Sequence, residues 1–460
     1  DNIMANSYLN KTLGTPTNSK KFTFSAWVKK CSNKSGGHYL LDTIGQSAGS
    51  ENPIAFDGDQ KFRVGEYTGS NVYNYRSSAQ FRDLNGWYHC VVQGDSTQNT
   101  ASDRVKLYVN NQLLTSDTNE YPSQDYDFKF NVSGNVVYVG RGISNSGRNL
   151  DGYMAHVAFV DGSVVAPTVF GETDSTSGVW KFRPPSGVTW GNNGFHLKFE
   201  NSGNLGLDSA NSNNFTVTGD LKQSISTPSN NYNTLNQLDT GYASSTLLNL
   251  ANGATTTMNT SGFGDYGVRT NFAVSKGKWY WECKNAAING NGGNTMGLLK
   301  TSKRLVINLM SGSPTAGVYG IQRYSDSSIN IHTNGSVASQ NTAMWGGITT
   351  SDVIGFALDM DNGKLYLSKN GDFKDSSGNT GNPATQANPT FTGISTGEFH
   401  GFYSELRMNN DNGLQVNFGN GFFGTTAITS AGSNGNGSLF EYDVPSGFYA
   451  LNTKNINTYG

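Results

Sequence analysis

Apolar and polar residues alternate with a period of two along most of this chain, the pattern of strands with one face against a core. Trp279, Trp281 and Cys283 alternate with Lys278, Tyr280, Glu282 and Lys284 in the stretch KGKWYWECK. Further on, DVIGFALDMDNGKLYLSKNGDF (352–373) holds two apolar runs joined at Asp361-Asn362-Gly363, followed by a second turn at Asn370-Gly371. Asn-Gly between alternating runs predicts hairpins, because these residues tolerate positive φ. LQVNF (414–418) adds another alternating strand, and residues 246–460 read as one β-sandwich built around the Trp279 strand.

The first 165 residues repeat the theme. In KFTFSAWVKK (21–30), Phe22, Phe24, Ala26 and Val28 fall on one side and Trp27 on the other. HYLLDTIG, KFRVGEY, GWYHCVV, RVKLYVNNQLL, NVVYVG and GYMAHVAFVDG follow, with Asn110-Asn111 as a hairpin turn. Short strands at this spacing, separated by polar turns, predict a second sandwich. The intervening residues 166–245 read as a connector with strands of its own. Phe195, Leu197 and Phe199 alternate with His196 and Lys198, and Phe215 with Val217 suggests another strand. A flexible Gly/Ser linker lacks such alternation. The connector strands are expected to pack on one of the sandwiches and to fix the angle between the two. The predicted fold class is therefore all-β: two antiparallel, jelly-roll-like β-sandwich domains, 1–165 and 246–460, joined by a partly ordered β connector at 166–245.

Composition supports this and narrows the function. Charged residues are 14% of the 460, against about 25% in an average protein. Gly is abundant at 57, which suits many turns, and 12% aromatic residues argue against disorder. A net charge of −2 without basic runs disfavours nucleic acid or an anionic membrane surface as partner. No apolar run reaches the length of a membrane-spanning helix. Cys31, Cys90 and Cys283 lie far apart with no CxxC, and buried free thiols are expected. Sequons such as Asn131-Val-Ser and Asn214-Phe-Thr arise by chance at this composition.

Catalytic motifs are weak. Gly45-Gln46-Ser47-Ala48-Gly49 and Gly393-Ile394-Ser395-Thr396-Gly397 match GxSxG without the strand–turn–helix context a nucleophile elbow needs. Gly419–Gly424 (GNGFFG) matches GxGxxG, but no helix follows to receive a pyrophosphate, so it reads as the last turn of the second sandwich. The six histidines show no metal-ligand spacing, and His156 reads as a structural core residue. No catalytic residue is assigned, and the chain is read as a non-enzyme. No cofactor is expected. Calcium is the one ion that loop Asp and Asn oxygens would suit, and Asp57, Asp59 and Asp151 would be its ligands.

Surface binding remains. Exposed aromatic rings stack on sugar C–H faces, and planar amides bond their hydroxyls. Tyr67, Tyr73 and Tyr75 in GEYTGSNVYNYR, with Tyr319, Tyr324 and Trp345 in the second sandwich, are the candidates. Tyr73 and Tyr75 lead, because VYNYR sits among polar turn residues.

Three resemblances sharpen the reading. KGKWYWE, DVIGFALDMDNGKLYLSKNG and VNFGNGFFG, in this order, resemble the SPRY family, which implies a bent antiparallel sandwich that binds partners through loops. FSAWVK, GWYHCVV, VKLYVNNQLL, VYVGRG and LDGYMAHVAFVDG resemble the concanavalin A-like, laminin-G-like sandwich, which implies glycan binding, sometimes with calcium. Glucanases of that fold carry a tight Glu-x-Asp-x-Glu or Glu-x-Asp-x-x-Glu strand, and none occurs here. PTVFGETDSTSGVWKFRPPSG, NGFHLKFENSGNLGLDSANSNNFTVTG, STPSNNYNTLNQLDTG and FEYDVPSGFYALNTKNI resemble stretches of structural proteins of tailed, notably marine, bacteriophages. This resemblance implies a virion protein on the particle surface, a fibre or spike that engages host-surface polysaccharide. It further implies contacts with other virion proteins and a homo-oligomer, often a trimer, although no heptad pattern marks one. The alternatives are a head or tail decoration protein, a lectin-like surface adhesin, and a glycan hydrolase.

Overall fold

The strand Lys21–Lys30 lies at the centre of the first unit, because both of its faces can be buried. Phe22, Phe24, Ala26 and Val28 point into the core, while Thr23, Ser25, Trp27 and Lys29 occupy the opposite face and are buried as well. The computed structural model describes residues 7–43, 50–143, 146–242, 248–258, 264–285, 293–303, 305, 316–324, 326–339, 343–408 and 412–460. It is almost entirely β, with one short α-helix among the described residues, Thr453–Tyr459. The chain divides into two compact units, Asp1–Ser224 and Ile225–Gly460.

The strands of the first unit are β1 (Tyr8–Thr12), β2 (Lys21–Lys30), β3 (His38–Thr43), β4 (Ile54–Phe56), β5 (Lys61–Tyr67), β6 (Asn71–Gln80), β7 (Tyr88–Asp95), β8 (Val105–Val109), β9 (Gln112–Leu113), β10 (Ser116–Glu120), β11 (Val136–Val139), β12 (Gly152–Asp161), β13 (Gly171–Thr173), β14 (Trp180–Phe182), β15 (Phe195–Leu197) and β16 (Thr216–Thr218). They form an eight-stranded sheet in the order β10-β6-β5-β4-β3-β11-β1-β16 and a six-stranded sheet in the order β15-β12-β2-β7-β8-β9. All pairings within them are antiparallel. The core between the sheets is rich in Phe and Val, and Phe22 packs against Phe128, Phe130 and Phe159. Asn110 (φ 49) and Asn111 (φ 64) make the predicted two-residue β8–β9 turn, in the left-handed conformation that such hairpins require.

The stretch read as a connector is divided between the units. β15 adds an edge to the six-stranded sheet by pairing with β12, and β16 does the same for the eight-stranded sheet by pairing with β1. Phe195 and Phe215 meet edge to face at 4.7 Å inside the first core. Asp161 ties these parts together: its carboxylate accepts N–H bonds from Thr17, Asn18, Asn193 and the Asn131 side chain.

In the second unit, the strand Lys278–Asn285 pairs with Val353–Asp359 on one side and Asn412–Asn417 on the other. Trp279, Trp281 and Cys283 enter the main core, with Trp281 stacked on Phe356 at 5.3 Å. Burial of each such ring contributes about 2–3 kcal/mol. The opposite face is buried too, since Tyr280 packs with Phe440, Val444, Phe448 and Ala450. Tyr449–Ala450 pairs in parallel with Trp279–Tyr280, and Glu282 accepts the backbone N–H groups of Glu441 and Tyr442. The C-terminal segment thus covers the strand's second face. A seven-stranded sheet completes this unit in the order Leu235–Tyr242, Gly264–Val274, His400–Met408, Gly293–Lys300, Val318–Tyr324, Ile329–Thr333 and Ser336–Ser339. The predicted turns stand: Gly363 (φ 61) closes one hairpin, and Asn370 (φ 52) with Gly371 (φ 83) closes the next.

Candidate functional site

Along β5 and β6, alternate residues leave the core and face outward from the eight-stranded sheet. Arg63 and Arg76 are cross-strand neighbours on that face, and side chains from three flanking segments meet them. Arg63 Nε lies 2.8 Å from Asp57, and its Nη2 lies 3.4 Å from Glu51. Arg76 contacts Asp57 at 3.5 Å, Asp59 at 3.1 Å and Asp117 at 3.6 Å. Arg148 and Lys61 extend the lattice to Glu51 and Asp117. The Tyr39 hydroxyl accepts from Arg63 at 2.9 Å and donates to Glu51 at 3.2 Å. At the rim, Asn71 donates to Glu120 at 3.0 Å, and Tyr67 is 40% exposed. Planar guanidinium, carboxylate and amide groups are therefore held on a rigid sheet beside an exposed ring. Such groups suit a ligand rich in hydroxyls.

Tyr73 and Tyr75, the leading sequence candidates, are not part of this surface. Tyr73 is 1% exposed and Tyr75 8%, both inside the first core. Tyr73 packs edge to face on Tyr126 and Phe128. The polar neighbours that suggested a turn belong instead to the other face of a ten-residue strand, where Asn74 and Arg76 alternate with the tyrosines. In the second unit Tyr319 is buried and bonded to the Gly393 carbonyl. Tyr324 is half-buried and accepts from Asn330. Trp345 is half-buried, with its indole N–H on the Asp372 carbonyl at 3.2 Å. Of the six aromatic candidates, Tyr67 alone is both exposed and beside a polar lattice.

The carboxylates proposed for calcium are otherwise engaged. Asp57 faces two arginines and Asp59 one. Asp151 is half-buried and accepts from Ser32, and desolvation pushes its carboxyl up. No group of three metal-ligating side chains occurs among the described residues.

Sequence reading missed a second arrangement, on the outer face of the six-stranded sheet. Ser25 Oγ lies 2.9 Å from His89 Nε2, the spacing of a nucleophile and its base. The other ring nitrogen decides the chemistry. Trp180 Nε1 donates to His89 Nδ1 at 3.0 Å, so Nε2 carries the proton and donates to the serine. This imidazole cannot take the Ser25 proton. Trp27 stacks on the imidazole at 4.7 Å, and Trp180, with its ring centroid 5.9 Å away, lies at the ring edge beyond Nδ1. Burial holds His89 down at about 3. No short-range signal in the sequence links positions 25, 89 and 180.

The remaining motifs resolve as turns where they are described. Ser395 is exposed in a loop before the strand His400–Met408. In GNGFFG the N–H groups of Gly419 and Gly421 donate to Asn417 Oδ1 at 2.8 and 3.1 Å, which occupies the amides a phosphate would need. The 45–49 match lies outside the described residues. The three cysteines are buried and free, as expected.

A comparison with curated protein sequences gives no match. Among solved structures, the SPRY domain of human HERC1 is 17% identical, with a TM-score of 0.29 over 40% of this chain and 96% of that one. The TRIM65 PSpry domain is 13% identical, with a TM-score of 0.25 over 37% and 84%. The heptameric SAP-like pentraxin from Limulus polyphemus is 12% identical, with a TM-score of 0.31 over 48% and 91%. The family model described as the concanavalin A-like lectin/glucanases superfamily matches residues 5–170, so the first unit of this chain is similar in sequence to laminin-G-like domains.

Proposed function

We propose that this chain is a non-catalytic surface protein of a bacteriophage particle, a fibre or spike component whose first unit holds host-surface glycans. The observation that carries the binding role is the lattice in which Arg76, Asp57 and Asp59 reach the surface over Arg63 and buried Glu51, beside exposed Tyr67, on a unit similar to lectin-type domains. Its polar groups are pre-oriented by one another, which lowers the ordering cost of gripping a hydroxyl-rich ligand. Asp57 is faced by two guanidinium groups, an arrangement suited to holding hydroxyls rather than to supplying the opposed acid and base of glycoside cleavage. The particle role is supported by the phrases at 167–187, 193–219, 226–241 and 440–456, whose resemblance is to tailed-phage structural proteins.

The test is an array of bacterial surface polysaccharides, probed with folded protein at neutral pH. Binding to a defined class, weakened at least tenfold by Tyr67→Ala or Arg76→Ala, is expected. Folded protein that binds no polysaccharide would replace receptor engagement with plain decoration of the particle. Mass spectrometry of purified particles tests the location, and its absence from them would point to an adhesin.

A further inference from the structure

The outer face of the six-stranded sheet is closed by a small hairpin, β13–β14, held by two rings. Trp180 meets the edge of His89 and bonds its Nδ1, and Phe182 lies flat on His156 with centroids 3.6 Å apart. His156 reaches this face through a bulge. Ala155 opposes Trp27 and Ala158 opposes Ser25, so the strand carries one extra residue, and His156 takes a φ of 50 that few non-glycine residues adopt. The rest of the hairpin adds little: Val179 is 61% exposed, and Lys181 turns outward to Glu172 and Asp174. Its ends are fixed by one cluster, in which buried Phe170 packs with Ala158 and Val160, and Val188 and Trp190 join from beyond β14.

We propose that this hairpin is an acid-released latch: protonation of His89 replaces the acceptor for Trp180 with a second donor, and the hairpin lifts from the sheet while the sandwich beneath stays folded. The acceptor at Nδ1 exists only on the neutral ring. Seated, the buried ring has Ser25 at one nitrogen, the Trp180 N–H at the other and Trp27 stacked on a face, so a proton added at Nδ1 meets a donor instead of an acceptor. The groups around it are uncharged: Ser25 and Trp27 from β2, Asn110 from the β8–β9 turn, and Trp180 from β14. Lys29, next on the outer row of β2, sits over Tyr153 instead. His156 opposes charging as well, facing His196 on β15 with Lys198 beyond it, while Asp208 acts on His196. Burial depresses both His89 and His156, in the direction that the geometry requires.

An isolated two-stranded hairpin is marginal in water, so a lifted β13–β14 loses its own pairing. Below the ordinary histidine value of about 6.5, each pH unit raises the lifted-to-seated ratio about tenfold through His89 alone. The experiment is hydrogen exchange followed by mass spectrometry on the full chain from pH 7.5 to 4.5, corrected for intrinsic rates. Amides of 171–182 should lose about 100-fold protection between pH 6.5 and 4.5 relative to β2 and β7, reversibly, and His89→Gln should abolish most of that loss. Equal loss in β2 and β7, no loss at pH 4.5, or unchanged release in His89→Gln overturns the latch. If His89→Gln does not fold, the wild-type comparison of hairpin with β2 and β7 decides alone.

Discussion

Trp180 and His89 are 91 residues apart in sequence and share one hydrogen bond of 3.0 Å, from the indole N–H to Nδ1. That bond fixes the tautomer of a buried imidazole and turns a serine–histidine contact into a structural one. Trp180→Phe keeps an aromatic ring beside the imidazole and removes the donor. It should destabilise the first unit by about 1–3 kcal/mol, the cost of a buried acceptor left unpaired. Urea unfolding of the variant against wild type measures it, and a change under 0.5 kcal/mol would mean that the bond contributes little.

Acid should weaken the first unit. Burial holds His89 near 3 and His156 and His196 near 4, and lowers His38 well below its usual range. Unfolded, these rings take up protons below about 6.5, so their contribution is present above that pH and is lost as pH falls toward 4. Asp42 acts oppositely. Burial raises it to about 7, so the folded state keeps its proton, and that contribution is present below about 4 and lost as pH rises to 7. Asp57, Asp151 and Glu66 are raised by burial in the same sense. With four histidines depressed, acid loss should win, by about 2 kcal/mol or more between pH 6.5 and 5. Denaturant midpoints at the two pH values test the sign, and a higher midpoint at pH 5 would show that the carboxyls dominate.

The tyrosines of β5 and β6 should separate cleanly by role. Tyr73→Ala removes a core ring and should cost about 3–5 kcal/mol of stability. Tyr67→Ala should stay within about 0.5 kcal/mol of wild type while it weakens glycan retention. Paired thermal melts and polysaccharide pull-downs would show whether the two phenotypes instead coincide.

Glu282 pins the C-terminal segment, and removing its carboxyl strands donors. Its oxygens accept from Glu441 N, Tyr442 N and the Tyr280 hydroxyl, and burial lifts the group to about 7. Glu282→Ala should destabilise the second unit by about 3 kcal/mol, whereas Glu282→Gln, which keeps the shape and one of the two accepting oxygens, should lose less than that. Equal losses from both would assign the effect to charge rather than to hydrogen bonding.

Calcium should do little to the melting temperature. The loop carboxylates nearest to a calcium site face Arg63 and Arg76, which a cation would have to displace. Thermal melts in millimolar calcium and in chelator should agree within about 1 °C; a rise of several degrees would reveal a site that these ion pairs conceal.

Fold class was legible because period-two alternation and Asn-Gly turns are local signals. The Asn110-Asn111 and Asn370-Gly371 hairpins are read from a few residues each. Facing was harder. VYNYR could be a turn or a strand with tyrosines inward, and only the register of β6 against β5 and β10 settles it. The connector's share in the eight-stranded sheet rests on a pairing 210 residues apart, Tyr8 with Thr218, and its share in the six-stranded sheet on one 40 apart, Val157 with Leu197, which no short window along the sequence contains. The same holds for the arginine lattice, whose members come from positions 51 to 148.

The parallel pairing of Tyr449–Ala450 with Trp279–Tyr280 has a consequence for biogenesis. The central strand of the second unit is synthesised some 170 residues before the segment that shields its outer face. At about 5–20 residues per second, Tyr280 and Tyr366 wait on the order of ten seconds or more without their cover. During that interval the nascent chain presents an unsealed aromatic sheet, so a ribosome stalled before residue 440 should hold a product that recruits chaperones, while the first unit behind it is already complete.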